Sequence, residues 1–286
     1  EDFLHLEATA KEFDLELNRL KCEVVGHTEE TRRLFAMHNI ILPETSMSSV
    51  ILLGAPLSAG QHLDDVLTVR RKELELLTYR LTLMPAHDGL RNVLTAPRLM
   101  YLLRTSPCTD SPELPLYDAV LRESLSSVLN VDLDDKRWTQ ASLPVRWGGL
   151  GVRGVVLLAP SAYLASAAST TELTSTLLPE RLYDIEDSGI AAAMSAWSKQ
   201  ASTPTSTLPP PASPAQRAWD DPCCQVKADE LLDTAADQVE RARLLASRSV
   251  GSGVWLDALP LSCAGLKMDN ATVRVAVGLR LGAPVV

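Results

Sequence analysis

The sequence lacks any excess of positive charge: 27 Lys and Arg stand against 36 Asp and Glu, a formal net charge of −9. Affinity for phosphate backbones comes mainly from Lys and Arg releasing counterions, so this balance argues against a free-standing nucleic-acid-binding domain and confines any polyanion contact to a local patch. Also missing is an apolar run of the ~18 residues that span a bilayer. The longest, GVVLLAPSAYLASAA at 154–168, is broken by Pro160. The first residues, EDFLHLEATAKEF, carry neither Met nor the basic-then-apolar profile of a signal peptide, and suggest the middle of a helix cut from a longer polypeptide. Five cysteines (Cys22, Cys108, Cys223, Cys224, Cys263) are odd in number and scattered, with no C-x-x-C pair and no histidine pair to complete a zinc site. A reducing, intracellular compartment is the expectation. Cys223 and Cys224 are adjacent and so poorly placed for ordinary disulfide geometry, which makes them structural thiols. No repeat recurs at a fixed period.

What is present is a helical chain of 286 residues, 46% hydrophobic, long enough for one large domain or two ordinary ones. Phe3, Leu4, Leu6, Ala10, Phe13 and Leu15 recur at helical intervals, and an extended pattern follows near Cys22, Val24 and Val25. A second helical piece at 29–38 leads to NIILP and SSVILLGAPL, a β-branched and aliphatic run that predicts a small sheet. From Leu63, the residues Val66, Leu67, Leu74, Leu77 and Leu81 define one apolar helical stripe. Arg70, Arg71, Lys72 and Arg80 lie beside it, and Arg91 and Arg98 follow in a segment that Pro97 should kink or split. Tyr117, Val120, Leu121, Leu125, Val128 and Leu129 mark another helix. Residues 225–249 suggest one charged helix, and MDNATVRVAVGLRLG a last one, capped by Asp269 or Asn270 and stopped by Gly282. ASTPTSTLPPPASPA at 201–215 has too few apolar groups to offset its ordering entropy. The fold class expected is mainly α with a small N-terminal α+β piece. Its divisions are 1–60 (helix, strand and hairpin), 61–140 (helical bundle), 141–200 (Gly turn and Ala/Ser-rich helices), 201–222 (linker) and 223–286 (C-terminal helices).

GLGVRGVV at 149–156 fits G-x-G-x-x-G, the pattern that cradles a dinucleotide pyrophosphate. Such a site needs a buried strand before Gly149, a helix after Gly154 and an acid ending a second strand about 20 residues on. LPVRW is short and carries Arg146, and Glu172 sits in STTELTST, which has no aliphatic run. The glycines are better read as a connection where helix backbones pack closely, and no cofactor is expected on them.

TAPRLMYLLRTSP, QASLPVRWGGLGVRG, LAPSAYLASAAS and TVRVAVGLRLGAP, in that order, resemble the region following the polymerase palm in reverse transcriptases of animal non-LTR retrotransposons. DLELNRLKCEVVG resembles the family's palm motif of helix, Asn turn and Lys before a strand, and VILLGAPL resembles its primer-grip hairpin. The resemblance touches most of the chain outside 172–222. It implies the end of a palm, a helical thumb and a helical extension of an RNA-directed DNA polymerase, a nucleotidyltransferase of nucleus or cytoplasm. Partners would be an RNA template and a DNA primer, together with the upstream palm and fingers of the same polypeptide, and no membrane. Two Mg²⁺ ions held by palm aspartates would activate the primer hydroxyl, but the aromatic-x-Asp-Asp turn that holds them is expected upstream, so none should bind here. Asp64-Asp65, Asp134-Asp135 and Asp220-Asp221 lack apolar strands on both sides and are not read as metal ligands.

By the same resemblance, Lys21 matches the lysine near the departing pyrophosphate, with a solvated lysine at a turn as the alternative. Gly54 would let backbone approach the primer, or simply end a strand. Arg70, Arg71, Lys72, Arg80, Arg91 and Arg98 fall where the thumb would track phosphates; the alternative is a solvated face interleaved with Asp64, Asp65, Glu73, Glu75 and Asp88. Trp138 and Trp147 either stack on bases or belong to the core. One departure is Asp14, where the family has Gly. A helical binding or scaffolding module derived from such an element, without catalysis, is the competing reading.

Overall fold

The computed structural model describes residues 2–18, 21–25, 28–38, 40, 44–81, 97–177, 188–202, 215–258, 263, 265 and 267–284. The chain forms two compact units, Glu1–Ser58 and Ala59–Val286. Twelve α-helices and only four two-residue strands occur among the described residues, so the fold is mainly α, as expected. None of those helices is long and apolar enough to cross a membrane.

The N-terminal unit contains α1 (Asp2–Glu12), β1 (Val24–Val25), α2 (Glu29–Met37), β2 (Glu44–Thr45), β3 (Ile51–Leu52) and β4 (Ala55–Pro56). Past α1 the chain turns through Asp14 at φ +57, with Asp14 N–H on the carbonyl of Lys11 and Leu15 N–H on that of Ala10. This left-handed conformation is the one glycine favours, and Asp tolerates it because its short carboxylate bonds locally. Thr28 caps α2 by accepting from the N–H of Thr31 at 3.2 Å. The small sheet is two separate pairs: β1 runs parallel to β2, and β3 antiparallel to β4. Leu53 (φ +50) and Gly54 (φ +84) join β3 to β4, and two positive φ angles in a two-residue loop make a type I′ hairpin. Apolar side chains of this unit remain largely uncovered, among them Phe13, Leu15, Met37, Ile51, Leu52 and Leu53.

The C-terminal unit opens with α3 (Gln61–Leu81), followed by α4 (Pro97–Thr105) and α5 (Glu113–Leu129). Leu63, Leu67 and Leu74 are buried on α3, which packs against α5; Val66 and Leu77 are half-buried. α4 begins at Pro97, the helix position where a missing N–H is harmless. On α5 the buried set is Leu114, Tyr117, Leu121, Leu125, Val128 and Leu129, with Val120 only half-buried.

Next come α6 (Asp135–Ser142), a 3₁₀ turn (Val145–Trp147) and α7 (Val155–Leu177), whose Ala159, Ala162 and Ala165 are buried where α4, α8 (Ser188–Gln200) and α9 (Gln216–Asp233) pack on it. Small side chains let those helix axes approach closely. The core between α7, α8 and α9 is Leu164, Ala165, Ala193, Trp197, Ala201, Trp219 and Cys223. Trp197 meets Trp219 edge-on at 5.4 Å and donates its indole N–H to the Trp219 carbonyl at 2.6 Å. The remaining helices are α10 (Gln238–Arg248), α11 (Val254–Asp257) and α12 (Asn270–Leu281). Asp269 caps α12 by accepting from Thr272 N–H at 2.7 Å, and Gly282 ends it at φ +65, both as expected.

Two expectations are corrected. Residues 216–222, read as the end of the linker, are the first turns of α9, with Trp219 and Asp220 buried and Pro222 inside the helix. The single helix expected over 225–249 is two, interrupted before Asp237, which caps α10 by accepting from Glu240 N–H at 2.7 Å. Residues 203–214 of the linker lie outside the described residues.

Candidate functional site

The segment LPVRWGGLGVRG, singled out twice in the sequence, is a densely hydrogen-bonded turn of the C-terminal unit. Trp147 N–H and Gly149 N–H both bond the Pro144 carbonyl, Leu150 N–H bonds Ala141 and Gly151 N–H bonds Leu143. A Cβ on Gly149 would overlap the Leu143 carbonyl oxygen and lie 2.5 Å from that of Gln140, so backbone rests directly on backbone. Gly151 sits at φ +78, and Gly154 faces the Asp118 carboxylate, where a Cβ would come to 3.2 Å. These glycines therefore join two helices tightly. No strand occurs in this unit among the described residues, so the βαβ frame of a dinucleotide site is missing.

A helix does open after Gly154, and its N-terminus does hold an anion, but the anion is the chain's own. Asp118 of α5 accepts from Val155 N–H at 2.6 Å and from Val156 N–H at 3.2 Å, occupying the position a pyrophosphate would take. Burial pushes this carboxyl up to about 6, against the downward pull of the two N–H bonds.

Arg280 of α12 holds the turn from the other side. Its guanidinium donates to the carbonyls of Gly149 (3.1 Å), Val145 (3.0 Å), Ser247 (3.1 Å) and Ser252 (3.2 Å). It makes no ion pair among the described residues, and burial holds its pKa below the usual arginine value. Gln140 spans the same junction, donating to Gly148 and Arg280 carbonyls, each at 3.0 Å, while Arg243 donates to Gln140 Oε1 at 2.9 Å and to the Arg280 carbonyl.

The turn's own cations are matched by the Asp-Asp pair of α9. Arg153 grips Asp220 with two bonds of 2.6 Å, its side chain 17% exposed and that of Asp220 7%. Burial works against the Arg153 charge, but the bonds to Asp220 outweigh it and raise the pKa. Asp221 accepts from Arg146, from Arg217 at 3.2 Å and from the Trp147 indole N–H at 3.4 Å. Burial opposes its ionisation, yet those bonds hold it below the ordinary carboxylate range. Arg248 lies over the Trp147 ring at 5.3 Å and pairs with Asp229 at 2.9 Å.

The other acid pairs are equally engaged. Asp64 accepts from Ser111 Oγ at 2.5 Å and Asp65 from Gln61 Nε2 at 2.9 Å, at the head of α3. Asp134 caps α6 and pairs with Arg137 at 3.0 Å, and Asp135 pairs with Arg122 at 2.7 Å. Among the described residues no group of His, Cys, Asp and Glu is arranged to hold a metal ion.

The sequence-derived binding residues fall apart into two sets. Lys21 and Gly54 belong to the N-terminal unit: Lys21 is exposed and donates its backbone N–H to Asn18, and Gly54 meets nothing within 4 Å of a Cβ position. On α3, Arg70 is paired with Glu73 at 2.9 Å, and Arg71 with Glu75 at 2.6 Å and Glu113 at 3.0 Å. Lys72 is exposed and makes no ion pair among the described residues. The side chains of Arg80 and Arg98, and all of Arg91, lie outside the described residues. Trp138 is half-buried and lines a groove of about 1000 Å³, beside Asp118, Arg122, Glu123 and Asp132.

Sequence reasoning missed Asp118, Gln140 and Arg280. Arg280 carried a faint signal, a charge within the apolar VAVGLRL, but its acceptors lie as far as 135 residues away. No family model matches the chain, and comparison with curated proteins and with solved structures returns no match.

Proposed function

We propose that this chain is the C-terminal portion of a reverse transcriptase of the non-LTR retrotransposon kind: the end of a palm, a helical thumb and a helical extension that hold the template–primer duplex. The reading is carried by the convergence of the strings that resemble the family. Their described parts belong to one unit: α4 lies against α7, α12 against α6, and Arg280 of the last string bonds Val145 and Gly149 of the second. Asp14 adds support, because its left-handed backbone keeps the turn in which the family places glycine.

Under this proposal the aspartates for Mg²⁺ lie on the preceding part of the polypeptide, and Lys21 and Gly54 belong to the palm end. The purified chain is expected to bind an RNA–DNA hybrid with an affinity that falls steeply as salt rises, and to extend no primer with Mg²⁺. Template-dependent incorporation by this chain alone, or no hybrid binding at low salt, would overturn the reading.

A second reading, a helical scaffold without nucleic-acid contact, is favoured by one observation. Arg70 and Arg71 are spent on Glu73, Glu75 and Glu113, and the groove of about 1000 Å³ sets Asp118, Glu123 and Asp132 against Arg122. Hybrid binding separates the two.

A further inference from the structure

At the far side of the glycine turn lies a second cleft, of about 410 Å³, with Val145, Arg146, Arg248, Val250, Gly251 and Val254 among its walls. Two of its lining side chains are guanidinium groups with donors to spare. Arg146 spends Nε and one terminal nitrogen on Asp221, leaving the other terminal nitrogen without a partner among the described residues. Arg248 spends one terminal nitrogen on Asp229 and lays its face on Trp147, leaving Nε and its second terminal nitrogen. The backbone N–H groups of Val250 and Gly251 have no acceptor among the described residues either. The two hydroxyls are turned to the protein: Ser249 Oγ donates to Ala246 and Ser252 Oγ to Ser247. Asp257 is the one carboxylate in the wall, and it is already engaged.

Donors without acceptors call for a ligand rich in acceptors. Both guanidinium forks are fixed before any ligand arrives, Arg146 by Asp221 and Arg248 by Asp229 and the indole face, and a planar fork with free edges suits an oxyanion. Fixing the forks beforehand removes ordering entropy that binding would otherwise have to overcome.

We infer that the cleft between Arg146, Arg248 and the 249–253 loop is a phosphate-binding site that takes a backbone phosphate of the bound nucleic acid. This rests on the reading of the chain as a holder of template and primer, and it adds a phosphate contact at a corner beside the glycine turn to those expected on α3. Free pyrophosphate presents the same oxygens, so the two sources need separate arms in the test.

The full chain is measured against a labelled RNA–DNA hybrid by fluorescence anisotropy across a salt series, beside Arg248→Gln and Val250→Glu. Val250 is fully exposed, so V250E places a carboxylate at the cleft mouth without disturbing the fold. V250E is expected to weaken hybrid binding at least about tenfold, and R248Q to reduce the slope of log affinity against log salt by about one. In parallel, inorganic pyrophosphate is titrated into ¹⁵N-labelled protein. The Val250 and Gly251 amides should shift. Hybrid binding that both variants leave unchanged overturns the site while the functional reading stands. If the wild-type chain binds no hybrid, the functional reading fails, and the pyrophosphate arm decides: shifts at those two amides keep the phosphate site, and their absence overturns it.

Discussion

Gly149→Ala is the sharpest test of why the glycines are there. The new methyl would overlap the Leu143 carbonyl and lie 2.5 Å from the Gln140 oxygen, where ordinary contact begins near 3.4 Å, so backbone must recede by about 1 Å. Overpacking of that kind costs ~1–3 kcal/mol. Receding also loosens the Leu150–Ala141 and Gly151–Leu143 bonds, each worth ~1 kcal/mol net, and the charged bond from Arg280, worth ~1.5–3 kcal/mol. Losing all of these would cost ~4.5–8 kcal/mol; because the bonds are loosened rather than broken, the lower end, ~5 kcal/mol, is expected, and it approaches the whole stability of a typical domain. Thermal unfolding followed by circular dichroism should show a midpoint lowered by roughly 10–20 °C, or no cooperative transition. Gly154→Ala is the control: its methyl meets only the Asp118 carboxylate at 3.2 Å, and a loss near ~1 kcal/mol is expected. A phosphate-cradling loop would instead leave both variants folded. G149A melting within ~2 °C of wild type would refute the packing account.

Three further outcomes follow from the same region. Asp118 has its pKa raised by burial to about 6, above its ordinary value, so its contribution to stability is full below the ordinary carboxylate range and is lost as pH rises through 6. Asp118→Asn should flatten the stability profile between about pH 4 and 6.5 in urea titrations; an unchanged profile refutes the assignment. Breaking the Arg153–Asp220 pair with Arg153→Met strands a buried carboxylate and should destabilise by ~3–5 kcal/mol, whereas Arg153→Met with Asp220→Leu should recover most of the loss; equal losses in both would show that the pair's charge is not the cause. Burial pushes the thiols of Cys108 and Cys224 up to about 12 and of Cys223 up to about 11, so a thiol reagent at neutral pH should label exposed Cys263 readily and those three only after unfolding. Labelling of Cys223 in the native state would contradict the packing of α9.

The parts of the fold legible in the sequence are those set by neighbours within a turn or two. Leu63, Leu67 and Leu74 mark a buried stripe because one helix face meets one partner, and Asp269 and Gly282 mark helix ends because capping needs only residues close by. What stayed hidden depends on distant partners. QRAWDDP resembles a linker's tail until Arg153 and Arg146, 67 and 75 residues away, neutralise its two aspartates. The break before Asp237 is different in kind: Asp237 followed three residues later by Glu240 is a local capping signal that marks the start of α10. There Lys136 donates to the Thr234 carbonyl at 2.6 Å and Arg241 to that of Leu232 at 2.9 Å, closing the end of α9 from outside. The candidate site divides the same way: the glycine turn is visible as a string, while the aspartate that fills its helix end and the arginine that clasps it are not.

The Arg280 clasp also sets a schedule for synthesis. The Gly149 carbonyl leaves the ribosome 131 residues before the guanidinium that satisfies it. Until α12 emerges, the carbonyls of Gly149 and Ser252 lack the guanidinium that satisfies them in the fold, and the bend cannot lock. Nascent chains stalled before that helix should be cut by protease around Gly149, and chains stalled well beyond it should resist, so this unit completes itself as a late, all-or-none event rather than helix by helix.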